Sequence, residues 1–249
     1  MTKAIIFDVD GVLVDSPHEA AWGETLLELV RSDWSGLPQS VRYDPSRYTS
    51  GLYQSEVAGK PRWDGARALL RAFGFPTDDR YVGRLAEKKQ SRIVELIEEG
   101  RFHAYDDAMR FLLRAKAAGI KVAAASSSLN ANAMLARVRI EPYLAAAGVE
   151  LPWANRETSL VEVFDANVCG RTFARGKPAP DIFLAAAEGL GVAPEQCVVV
   201  EDAPAGVEAA KAGGMRAIGL ARHNDEDLLK AANADWVVTT LDGLDPADF

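Results

Sequence analysis

Short β-rich apolar runs recur along this chain at residues 3 to 8, 121 to 126, 197 to 201, 216 to 220 and 235 to 239. Helix-like stretches at 105 to 118, 180 to 190 and 204 to 213 fall between them. Such alternation predicts an α/β fold, a parallel sheet covered by helices. From about 16 to 102 the strand pattern stops, and helical periodicity takes over at 18 to 32, 64 to 73 and 80 to 98. That block reads as a helical insert. A second irregular stretch, 142 to 176, is longer than an ordinary connection. Within it Val161-Glu162-Val163-Phe164 is strand-like, and Trp153 and Phe164 are expected to pack.

Ligands of parallel α/β sheets bind beyond the carboxyl ends of the strands, and polar residues gather at three such ends: Asp8, Ser126 and Glu201-Asp202. The first is the most telling. In Phe7-Asp8-Val9-Asp10-Gly11, two acids one residue apart follow the apolar run Ala4-Ile5-Ile6-Phe7. Strand alternation returns residues i and i+2 to one face, so Asp8 and Asp10 are candidates for a shared site. Buried carboxylates are costly to desolvate, and a divalent cation is the natural partner. The plainer alternative is a solvated Asp-Gly turn.

Composition narrows the setting. The 249 residues are 48% apolar, enough for a substantial core, and the net charge of −8 argues against a broad surface for nucleic acid or anionic membrane. The two cysteines, Cys169 and Cys197, suggest neither a disulfide framework nor a zinc cluster, and a reducing cytoplasmic setting is expected. No apolar run approaches a membrane span.

Four motifs in order give the chain a resemblance to haloacid dehalogenase superfamily phosphotransferases, and within them to the β-phosphoglucomutase group. They are DVDGVLVDS at 8 to 16, Ser126, Lys177 in Gly176-Lys177-Pro178-Ala179-Pro180-Asp181, and Glu201-Asp202 before Ala203-Pro204-Ala205-Gly206. The resemblance covers essentially the whole chain and is weakest at 142 to 176. It implies a Rossmann-like core of residues 1–15 and 103–249 and a cap of residues 16–102, hinged near 14 to 17 and 98 to 104. It also implies that Asp8 is a nucleophile forming an aspartyl phosphate, and that Mg2+ is held by Asp8, the Asp10 carbonyl, Asp202 and Glu201, the last directly or through water. Asp10 would be the general acid and base, a role that calls for a raised pKa. Lys177 would neutralise Asp8 and the phosphoryl group, with Ser126 donating to the latter. Taken alone, Lys177 and Ser126 read as ordinary surface and turn residues.

Cap residues carry substrate contacts by the same resemblance. Arg62, in Gly59-Lys60-Pro61-Arg62, matches an arginine that grips a non-reacting phosphate; the alternative is a surface arginine. His18, paired with Trp22 at i,i+4 spacing, matches a histidine that aids the acid/base step, and Lys89 matches a basic position reaching the site, although Lys88 and Lys89 equally suit a solvated helix face. Ser127, Ser128 and Asn130 complete the expected binding set. Two departures stand out: the 15 to 18 segment is two residues shorter than in the well-known mutases, which puts the reach of His18 in question, and Leu129 stands where the mutases have a phosphate-binding lysine. The expected activity is hydrolysis of a small phosphomonoester, a sugar phosphate, by a monomer. A hexose-phosphate mutase is the close alternative, and a non-catalytic phosphometabolite-binding protein the distant one.

Overall fold

The computed structural model describes residues 2–35 and 43–249; residues 36–42 of the expected insert lie outside this set. Six strands form a parallel sheet: β1 (Ala4–Phe7), β4 (Lys121–Ala124), β5 (Ala166–Asn167), β6 (Cys197–Glu201), β7 (Arg216–Leu220) and β8 (Trp236–Val238), in the order β5-β4-β1-β6-β7-β8. From β1 the chain builds outward first on one side and then on the other. The carboxyl end of β1 is therefore the topological switch point, where a crevice opens between diverging connections. Phe7 is level with Ala124 on one side and Val200 on the other, so Asp8, just past β1, is level with Glu201, the last residue of β6.

Alternation along the strands fills both faces. Ile5, Phe7, Val122, Val198 and Ile218 pack into one apolar cluster, and Ala4, Ile6, Ala123, Val199 and Ala217 into another. Helices α5 (Asp106–Ala117), α8 (Asp181–Leu190) and α9 (Pro204–Ala212) cover these faces. The insert carries its own cluster, including Trp22, Leu26, Leu69, Val82 and Leu85, on α1 (His18–Arg31), α3 (Arg62–Ala72) and α4 (Asp79–Glu98).

Three features differ from the sequence reading. Residues Leu160–Val163 form a 3-10 turn instead of a strand, because Ser159 and Glu162 close a reciprocal cap; the nearby edge strand is β5. Trp153 is 47% exposed and not a packing residue, whereas Phe164 packs against the core. Finally, β2 (Val14–Asp15) pairs antiparallel with β3 (His103–Ala104), clasping the two chain crossings between sheet and insert.

Candidate active site

Asp8 is buried, and its Oδ1 accepts a hydrogen bond of 2.5 Å from Lys177 Nζ. The same ammonium donates to Glu201 Oε1 at 2.5 Å and lies over the Phe183 ring. Glu201 Oε2 accepts the backbone N–H groups of Asp202 and Ala203 at 3.0 and 3.1 Å. Both oxygens of Glu201 are thus engaged. Neither Glu201 nor Lys177 lines the cavity; they stand behind Asp8 and fix it. The packing is tight: a Cβ at Gly206 would meet Glu201 Oε1 at 1.8 Å, and one at Gly11 would meet Asp202 Oδ2 at 1.9 Å. Gly11 also adopts φ +82°, a conformation that glycine takes without strain.

Asp10 occupies the other wall. Its Oδ2 accepts from Ser126 Oγ at 2.8 Å, and Ser126 Oγ in turn accepts from the Ser128 N–H at 2.9 Å. His18 Nε2 is 3.1 Å from Asp10 Oδ1 and 3.2 Å from Ser128 Oγ. The first contact has ion-pair distance without hydrogen-bond geometry, which leaves Asp10 Oδ1 with no hydrogen-bond partner among the described residues. Lys89 Nζ lies 2.5 Å from His18 Nδ1 and above the Trp22 indole. The shorter 15 to 18 segment therefore does not keep His18 from the site, and Lys89 belongs to the interior while Lys88 pairs with Glu28 at the surface.

Electrostatics divides these carboxylates. Burial pushes Asp8 up to about 8, helped by the charges of Glu201 and Asp10 and opposed by Lys177. Burial and the charges of Glu201, Asp8 and Asp225 lift Asp202 well above the carboxylate range. Asp10 behaves oppositely to the raised value expected for it. Burial works against its charge, yet His18 and the hydroxyls of Ser126 and Ser16 outweigh burial and hold Asp10 below the usual range. Burial and the Lys89 charge lower His18, and burial brings Lys89 down to about 7.

A cavity of about 140 Å³ brings together Asp8, Asp10, Asp202, Ser126, Ser127, Ser128, Asn130, His18, Arg62 and Lys89. The insert closes over it: Ser127 Oγ donates to the Gly59 carbonyl at 3.4 Å, and Gln90 Nε2 donates to Asn130 Oδ1 at 3.0 Å. Arg62 Nε is buried with no hydrogen-bond partner among the described residues. Leu129 is 58% exposed at the cavity wall. Sequence reasoning missed Tyr53, Gln54, Tyr105 and His223 in the lining. His223 follows the carboxyl end of β7, and the rule that singled out Asp8 and Glu201 points to it as well.

The acid cluster thus sits at the switch point of a parallel α/β core, under helices that bring basic side chains to it. Comparison with known proteins identifies the class as that of phosphatases and phosphomutases of the haloacid dehalogenase type. The family model for haloacid dehalogenase-like hydrolases matches residues 2–214. The β-phosphoglucomutase of Mycobacterium bovis is 34% identical over 96% of this chain and 90% of that protein. The phosphorylated carbohydrates phosphatase of Thermotoga maritima is 31% identical over 93% of this chain and 92% of that protein. The crystal structure of β-phosphoglucomutase from Clostridium difficile superposes with a TM-score of 0.69 at 25% identity, covering 100% of this chain and 95% of that one. The chain belongs to the haloacid dehalogenase-like hydrolase family.

Proposed function

We propose that this protein is a Mg2+-dependent phosphohydrolase of small phosphomonoesters, specifically sugar phosphates, working through an aspartyl phosphate on Asp8. The observation that carries the reading is the pairing of Asp8 with Lys177 at the switch point, beside Asp202 and facing residues of α1, α3 and α4. Asp8 attacks phosphorus while Lys177 offsets the gathering negative charge. Because its neighbours hold it below the usual carboxylate range, Asp10 must be protonated as the ester binds; it then gives that proton to the departing oxygen and afterwards takes one from the water that cleaves the aspartyl phosphate. Ser126 orients Asp10 and, with Ser127, Ser128 and Asn130, faces the ester; His18 and Lys89 support the proton transfer.

The residues present suit magnesium. Asp8, Asp202 and the Asp10 carbonyl offer hard oxygen donors, and Asp202 has no side-chain hydrogen-bond donor among the described residues. No group of three or more His, Cys, Asp or Glu side chains is arranged to hold a metal among the described residues. Bound there, the cation would screen the carboxylates from the phosphate dianion and stabilise charge on the transferring oxygens.

The sugar-phosphate assignment draws on the named relatives and on the unpartnered Nε of Arg62, a fork suited to phosphate. Leu129 favours water over a second sugar hydroxyl as acceptor, since it puts an apolar side chain where a cation would hold a second phosphate. The mutase remains the second reading, supported by the combination of Arg62, His18 and Lys89 at the cavity. Phosphorus NMR with Mg2+ and a panel of hexose 1-phosphates, with and without a bisphosphate primer, separates the two. Inorganic phosphate as the product supports hydrolysis, and hexose 6-phosphate supports the mutase. Retained turnover in Asp8→Asn would remove Asp8 as nucleophile and the aspartyl phosphate with it.

A further inference from the structure

Arg222 has no part in the chemistry described above, yet it makes a dense set of contacts just behind the site. It follows β7 by two residues and its side chain is 11% exposed. Its Nε donates to the Gly11 carbonyl at 2.9 Å and its Nη2 to the Val12 carbonyl at 3.2 Å. Its Nη1 and Nη2 reach the two oxygens of Asp107 at 3.4 and 3.0 Å, and its guanidinium carbon lies 3.7 Å from the centre of the Tyr105 ring. Asp107 is itself anchored by the Leu241 N–H at 2.9 Å and Thr240 Oγ1 at 3.1 Å.

These partners share a location. Gly11 and Val12 directly follow Asp10, and the Gly11 N–H continues to the Val14 carbonyl at the start of β2. Tyr105 directly follows β3, and its N–H donates to the Leu13 carbonyl at 3.0 Å. One guanidinium therefore grips the turn that carries Asp10 and both chain crossings into the cap. A lysine is a point charge with no fork and cannot make these contacts together.

We propose that Arg222 is a positioning residue for proton transfer by Asp10: it fixes the Gly11–Val12 turn against the crossings and so sets the reach of the Asp10 carboxyl. The inference rests on the proposed phosphatase reading. In the step it serves, the Asp8–phosphorus bond forms as the ester P–O bond breaks, and the Asp10 proton moves to the leaving oxygen.

The test is kcat/KM for a series of aryl phosphates from 4-nitrophenyl phosphate to phenyl phosphate, because a poorer leaving group depends more on the proton. Asp10→Asn should steepen the dependence on leaving group. Arg222→Lys should steepen it too, losing about tenfold more on phenyl than on 4-nitrophenyl phosphate, a fraction of the usual general-acid effect. Asp107→Asn keeps a neutral acceptor for Arg222 and the Leu241 N–H, and should show the same change at smaller size. Equal losses on every ester in Arg222→Lys and Asp107→Asn, with a steepened Asp10→Asn, overturn the positioning role alone. An unchanged slope in Asp10→Asn removes Asp10 as the proton donor and the inference with it, whereas a wild type inert on all the esters removes the phosphatase reading as well.

Discussion

Lys177 is the residue on which the others depend electrostatically. Burial alone would lower its pKa, but the carboxylates of Asp8 and Glu201 raise it above the lysine range, so it is charged wherever the protein is folded. Replacing it with methionine leaves two buried acids uncompensated. Lys177→Met should lose about 3 to 5 kcal/mol, a fall of roughly 10 °C in Tm for a chain of this size, and Glu201→Gln in the same chain should restore part of it. An unchanged Tm would show that the pair is screened by something other than its partner. Lys89 makes the opposite case. Its folded pKa of about 7 lies below the ordinary lysine value, so between about 7 and 10.5 the unfolded chain binds more protons and stability rises with pH. The cost of charging it is complete below 7 and gone above 10.5. Lys89→Met should therefore melt higher than wild type in the absence of substrate, most at pH 6 and hardly at all at pH 10.5, while losing activity on sugar phosphates. Thermal melts of both proteins across that range check the sign. The types of Asp8, Asp10 and Lys177 were legible from their motifs, but the lowered pKa of Asp10 was not. It depends on Ser126, 116 residues away, and on His18 from the insert, and neither adjacency exists in one dimension.

At the scale of elements, long apolar runs were legible because a buried parallel strand needs nearly continuous hydrophobicity: β1, β6 and β7 sit where the pattern placed them. What escaped was short or lacked an apolar stripe. The β2–β3 clasp is two residues on each side, and the helix at Ser50–Glu56, with Gln54 its single buried residue, presents no periodic face. Loops nonetheless set how the insert meets the core. A Cβ at Gly176, beside Lys177, would lie 2.0 Å from Pro61 Cγ in the loop that precedes Arg62. The Gly176 backbone is not left-handed, so the strain of an alanine there comes from its methyl against the Pro61 ring, which must shift. Gly176→Ala should push the Gly59 to Arg62 loop outward, raising KM for a sugar phosphate about tenfold while lowering Tm by only a few degrees, because the overpacking falls on a loop and not on the hydrophobic clusters. Steady-state kinetics beside a melting curve is the check. Unchanged KM would mean that the loop need not press against the core for substrate to bind.

For the whole molecule, the distribution of charge around the cavity explains why a protein of net charge −8 is suited to an anion. The core contributes the acids Asp8, Asp10 and Asp202, whereas the insert contributes the cations Lys60, Arg62 and Lys89 together with the His18 imidazole and one acid, Glu19. On the proposed reading, a phosphate ester with its cation would sit between the halves and neutralise both, so its binding would favour the arrangement in which the insert is drawn down. Among the described residues, His18 reaches Asp10 at ion-pair distance across the cavity, and the charge of Asp10 also acts on Lys89. Closure of the insert, proposed here with that reading, would exclude water and bring the insert residues to the ester. Distance measurements can test this without disturbing the site. Cys169 and Cys197 are buried and their thiols are pushed up to about 12 and about 11 by burial, so neither reacts readily with a thiol label. Ser55 on the insert and Glu208 on α9 are exposed and outside the cavity lining. In a Ser55→Cys, Glu208→Cys double variant carrying spin labels, the protein alone should give a broad distance distribution. Mg2+ with a phosphate mimic such as beryllium fluoride should narrow it towards its short end, and Arg62→Ala should narrow it less. A distribution that ignores Mg2+ and the mimic would mean that the insert is fixed over the site, and substrate would then have to enter by the movement of side chains such as Leu129 at its rim.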